Sequence, residues 1–163
     1  MFQDPILSLR LNAQLKNQNN GQSRHWSTSH REKKTMTSAL TDCRVIYPRS
    51  GRLDDTAFID DIMQFPFARK VDISVTRVLS KGMRLFDPDS ILRGNCKQLL
   101  DVVVDAGILV DDSHRFVGRV LGRQDADHRD AGPAIVLTFW ESPDDECIDN
   151  TRPARPRDPP KSI

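Results

Sequence analysis

The chain has no apolar run long enough to span a bilayer, which takes about 20 consecutive residues, and its N-terminus lacks the apolar core of a secretory signal. It has no CxxC pair and no zinc-type spacing. Its three cysteines, Cys43, Cys96 and Cys147, are odd in number and far apart. Free thiols in a reducing cytoplasm are therefore expected, with no membrane partner. The chain also lacks a large net charge: 24 Lys+Arg against 23 Asp+Glu leave +1. A nucleic-acid partner must then be argued from local charge, not from the field of the whole molecule. Internal repeats are absent. Hydrophobic content is a modest 37%, and the prolines number 10 in 163 residues, so one domain with a core plus some unpacked chain is expected.

Residues 6–11 read as a first strand, and residues 16–26 as a polar, turn-rich loop. Residues 29–40 fit a helix, with Ser29 as N-cap and Glu32 completing a capping box. A break follows at 47–51, then a short helix over 54–63. Residues 71–76 alternate apolar with polar, the period of a half-buried strand. Residues 90–106 carry Leu92, Cys96, Leu99, Leu100 and Val103 at helical spacing, with Gly107 as the stop. Residues 116–121 and 134–140 read as strands, joined by a turn over 125–132. From Ser142 onward five of the ten prolines occur with almost nothing to bury, so residues 142–163 read as a disordered tail. The expected fold is a small α/β (α+β) domain over residues 1–141, with about four strands and two or three helices.

Asp87 and Asp89 flank Pro88, which fixes its own φ and disfavours the α region for Asp87. An extended unit is expected, placing both carboxylates on one side, roughly 7 Å apart. That is half of a site for a hard cation. Mg²⁺ takes oxygen ligands, usually only a carboxylate or two, and keeps several waters. Asp111 and Asp112, at the far end of the helix, are placed to close the site. Lys97 shares a helix face with Asp101, four residues on. Beside a carboxylate–metal cluster, a lysine can neutralise phosphate charge or orient an attacking water. Taken singly, the acidic unit is more often a turn, the acidic pair a loop, and the lysine a solvated charge. Their order and spacing together carry the signal.

Phe86-Asp87-Pro88-Asp89-Ser90-Ile91, then Lys97, Asp101 and Ala106-Gly107-Ile108-Leu109-Val110-Asp111-Asp112-Ser113, resembles the RusA family of Holliday-junction resolvases. The family pattern is Asp-x-Asp-Asn-Leu, a lysine, an aspartate four residues on, then Gly and a terminal Asp-Asp. From Lys97 to Asp112 the match has no gap. The resemblance extends over residues 7–141, and its central stretch is the specific part. It implies Asp87, Asp89 and Asp112 as metal-binding and catalytic carboxylates, Asp111 adjacent to them, Lys97 as the essential lysine, Mg²⁺ as cofactor and a homodimer. Two departures stand out. Ser90 replaces the usual Asn, and the stretch from Asp89 to Lys97 is longer, with Asn95 in it as a candidate substitute amide.

Lys16, Arg24, Arg31, Lys33 and Lys34 face a single Glu32 within residues 16–34, an excess that suits phosphate contact. Asn17, Asn19, His25 and Trp26 look like the family's N-terminal loop, and Trp26 and the histidines can stack on an unpaired base. A four-way junction has approximate two-fold symmetry, which a C2 dimer matches. The expectation is a Mg²⁺-dependent endodeoxyribonuclease acting on branched DNA in recombination and repair. A binding module of the same fold without turnover, and a phosphoesterase with another substrate, remain the alternatives.

Overall fold

A computed structural model describes residues 4–16, 26–47, 65–67, 69–87 and 90–143. The elements in chain order are β1 (Leu7–Leu11), α1 (Trp26–Thr41), β2 (Arg44–Tyr47), β3 (Val71–Val78), α2 (Ser90–Arg93), α3 (Cys96–Asp105), β4 (Val117–Asp125), a 3-10 turn (Arg129–Ala131) and β5 (Ala134–Glu141). The expected mixed α/β class is what the chain adopts, with five strands in place of about four. The added strand is β2, four residues at the sheet edge, too short to show a period.

The strands form one sheet in the order β2-β1-β5-β3-β4. All neighbours are antiparallel except β3 and β4. A parallel pair needs a crossover, and here it carries α2 and α3. Registers Leu9↔Leu137, Val75↔Leu137 and Ile73↔Phe139 place alternate residues of β1, β3 and β5 on one face. Leu7, Leu9, Leu11, Val71, Ile73, Val75, Ile135, Leu137 and Phe139 are buried there. Against them pack Met36, Ala39 and Leu40 of α1 and Cys96, Leu99, Val102 and Val103 of α3. No helix among the described residues is long and apolar enough to cross a membrane.

Strand β3 departs from the half-buried expectation. Asp72 and Ser74, two of the three polar members of its alternation, are buried as well, and Thr76 is half-buried. The sheet bulges here: two residues of β4, Gly118 and Arg119, lie opposite Asp72 alone. The Asp72 carboxylate fills the gap. It accepts the Arg119 backbone N–H at 3.0 Å and pairs with the Arg119 guanidinium at 2.6 Å. Nearby Ser8 donates its hydroxyl to Thr138 at 3.1 Å, and Thr138 lies opposite Ser74. The polar face of β3 is therefore buried, not solvated: Asp72 is paired internally, while the Ser74 hydroxyl is buried without a hydrogen-bond partner among the described residues.

The single helix expected over 90–106 is two helices, broken at Gly94 and Asn95. The break turns Leu92 out, 37% exposed, so it leaves the core stripe. The stop at Gly107 is as expected. Its φ is 75°, the left-handed region that costs glycine least. Ile108 N–H reaches the Val103 carbonyl at 3.1 Å, and Gly107 N–H the Val104 carbonyl at 2.9 Å, a Schellman motif. Helix α1 begins earlier than expected, so Ser29 lies inside it and is no N-cap. Glu32 is buried, with Lys16 Nζ 3.7 Å from its carboxylate. Ser142 N–H bonds the Lys70 carbonyl at 3.0 Å, so sheet contacts reach the first residue of the expected tail. Residues 144–163 and the helix expected over 54–63 lie outside the described residues.

Candidate active site

Lys97 stands in the first turn of α3. Its Nζ is 3.5 Å from Asp101 Oδ1 and 3.9 Å from Asp112 Oδ2. Asp101 is there because it lies one helical turn on. Asp112 is there because the chain reverses at Gly107. Buried Ile108 and Leu109 then anchor the return, with Phe67 N–H bonded to the Ile108 carbonyl at 3.0 Å and Leu109 bridged to Phe67. Beyond this anchor Val110, Asp111 and Asp112 reach the surface. The Ser113 carbonyl then accepts the Phe116 and Val117 N–H groups, which starts β4. The Lys97 side chain is 73% exposed. Exposed ion pairs contribute only about 0–1 kcal/mol each, so stability does not account for the cluster.

Asp87 is exposed at the end of the segment that follows β3. Ser90 donates its N–H to the Asp87 carbonyl at 2.9 Å, an i→i+3 bond of the kind that closes turns. The expected extended Asp-Pro-Asp unit runs through residues 88 and 89. Pro88 and Asp89 lie outside the described residues. Among the described residues no three His, Cys, Asp or Glu side chains gather as a metal site. The oxygen donors Asp87, Asp111 and Asp112 suit a hard cation in chemistry.

No protein-family profile, curated protein sequence or solved structure matches the chain.

Sequence reasoning misplaced Asn95. The resemblance makes its amide a candidate substitute for an asparagine beside the carboxylates. Instead it is 1% exposed and faces the exit of β1. Asn95 Oδ1 accepts the Lys16 N–H at 2.9 Å, and Asn95 Nδ2 donates to the Gln14 carbonyl at 3.3 Å. Although asparagine is a favoured N-cap, this side chain makes no capping bond to α3. The only signal in the sequence was a Gly-Asn pair inside a helical pattern. Asn95→Ala would leave both backbone groups unpaired, at a cost of about 1–3 kcal/mol. Denaturant unfolding should show that loss in the midpoint with the slope unchanged. A shift below a few tenths of a kcal/mol would mean that water replaces the amide.

The expected DNA-contacting residues divide. Asn17, Asn19, Arg24 and His25 lie outside the described residues, as does the side chain of Trp26, which opens α1. Lys16 pairs with Glu32, and Lys33 Nζ lies 2.6 Å from Asp105 Oδ2. The Asp105 hydrogen bond holds the Lys33 ammonium above its ordinary pKa. Arg31 and Lys34, three residues apart on α1, are exposed and have no acidic partner among the described residues. Burial pushes the thiols of the two described cysteines, Cys43 and Cys96, each up to about 11, away from the reactive thiolate form.

Proposed function

We propose that the chain is a RusA-like, Mg²⁺-dependent, structure-selective endodeoxyribonuclease acting on Holliday junctions or other branched DNA in recombination and repair. The observation that carries this reading is Lys97 lying within 4 Å of both Asp101, one helical turn on, and Asp112, which the reversal at Gly107 brings back to it. In this reading Asp87, Asp89 and Asp112, with Asp111 adjacent, would hold Mg²⁺. When bound, Mg²⁺ polarises the phosphoryl oxygen and makes its bound water more acidic. Lys97 supplies positive charge beside Asp112 for the negative charge that develops on the phosphate. Arg31 and Lys34 supply backbone contact from α1. A C2 homodimer would place two such sites on a junction, in the cytoplasm, where the DNA is.

One observation favours a second reading, a branched-DNA-binding module without turnover. Ser90, at the position of the family's asparagine, is 4% exposed and starts a helix that breaks at Gly94–Asn95. Incubating a labelled four-way junction with protein and Mg²⁺, beside an Asp89→Asn control, separates the two. The proposal expects paired symmetric nicks from the wild type. It expects the control to bind without nicking, with affinity that falls steeply as salt rises. Selective binding without nicks would leave the module reading, and equal binding of linear duplex would end both.

A further inference from the structure

Strands β3 and β4 run in parallel, and their register sets Arg77 beside Gln124. Gln124 reaches past its own ladder. Its Oε1 accepts the Phe86 N–H at 2.8 Å, and its Nε2 donates to the Phe86 carbonyl at 2.9 Å. One side-chain amide thus satisfies both backbone groups of one residue, as a neighbouring strand would. Arg77 reinforces the contact. Its Nη1 donates to Gln124 Oε1 at 3.1 Å and to the Arg84 carbonyl at 3.0 Å, and its guanidinium lies 3.6 Å from the centre of the Phe86 ring.

Arg77 is an expensive residue for this place. It is 3% exposed and has no acidic partner among the described residues. Burial, and then the charge of Arg129, lower its pKa. Buried charges are ordinarily paired, so its presence asks for a return other than stability. Arg129 extends the same pattern, donating to the Ser80 and Met83 carbonyls at 3.1 and 2.9 Å. Side chains from β3, β4 and the 3-10 turn therefore tie the chain at Ser80, Met83, Arg84 and Phe86. These ties end one residue before Asp87.

We propose that Gln124 and Arg77 are positioning residues that fix the backbone of Phe86 and so set where the next residue, Asp87, is presented to a divalent cation. The metal-directed part rests on the nuclease reading; the clamp itself rests on the hydrogen bonds. Partners that orient metal ligands in this way typically change metal affinity or activity by about 10–100-fold when removed.

Gln124→Met keeps the length of the side chain and removes both bonds to Phe86. Gln124→Glu keeps the acceptor and removes the donor. In the full-length protein, amide hydrogen exchange over residues 84–90 should speed up in Gln124→Met, while the β1 and β5 amides keep their protection. Binding of Mn²⁺ alone, followed by electron paramagnetic resonance, should weaken by about 10–100-fold, with Gln124→Glu between. A variant that loses protection uniformly across the sheet, or keeps wild-type exchange and Mn²⁺ affinity, overturns the inference. So does wild-type protein that takes up no Mn²⁺. Wild type that binds Mn²⁺ and nicks no junction, with the local changes present in Gln124→Met, ends the nuclease reading and upholds the clamp. Normal nicking at unchanged Mn²⁺ dependence in Gln124→Met does the reverse.

Discussion

Lys97→Ala is expected to fold, to bind a four-way junction, and to nick it on the order of a hundredfold more slowly, the usual cost of removing one electrostatic donor. Folding should survive because the side chain is 73% exposed and gives up only two surface pairs, worth about 0–1 kcal/mol each. Binding should survive because phosphate contact is assigned to other cations, Arg31 and Lys34 among them. The chemical step should suffer because an ammonium 3.9 Å from Asp112 would be lost where negative charge develops. Single-turnover nicking at saturating protein isolates that step. A near-normal rate would show that Lys97 only neutralises Asp101 and Asp112.

Phe139→Ala should cost about 3–5 kcal/mol, the range for truncating a buried phenylalanine. Phe139 is fully buried on β5, between β1 and β3, opposite Leu7 and Ile73. Its ring centroid is 5.5 Å from that of Phe67, and Phe67 anchors the return that delivers Asp112. Set against a typical total of about 5–15 kcal/mol, such a loss leaves the domain marginal. The denaturation midpoint measures it. A cost under about 1 kcal/mol would mean that the helices close over the cavity, against the usual partial relaxation of cores.

What the sequence made legible follows from pattern length. The strands read at 6–11, 71–76 and 134–140 and the glycine stop at 107 are long or chemically marked, and the structure has strands at 7–11, 71–78 and 134–141 and a left-handed Gly107. Strand β2, at four residues, has no period to detect. The polar positions of β3 misled because alternation cannot distinguish water from an internal partner such as Arg119. At the site, Lys97, Asp101 and Asp112 were legible because helix spacing and one reversal bring them together. Gln124 was not, because its role depends on a parallel register between strands 47 residues apart, which no local pattern encodes. Asn95 was misread for the same reason, since its partners are 79 and 81 residues away.

The interruption at Gly94–Asn95 also sets the field in which Lys97 sits. In one continuous helix the lysine would lie near the middle, where aligned peptide dipoles cancel. Restarting the helix at Cys96 puts it at the positive end instead, with no acidic residue in that turn and the asparagine amide turned elsewhere. A cation there is disfavoured by about 0.3–1 kcal/mol at an exposed site. The peptide N–H groups of that first turn and the ammonium thus contribute positive potential from the same direction. The local chain thus gives up helix stability while positive charge gathers beside Asp112, a conflict between local preference and overall structure.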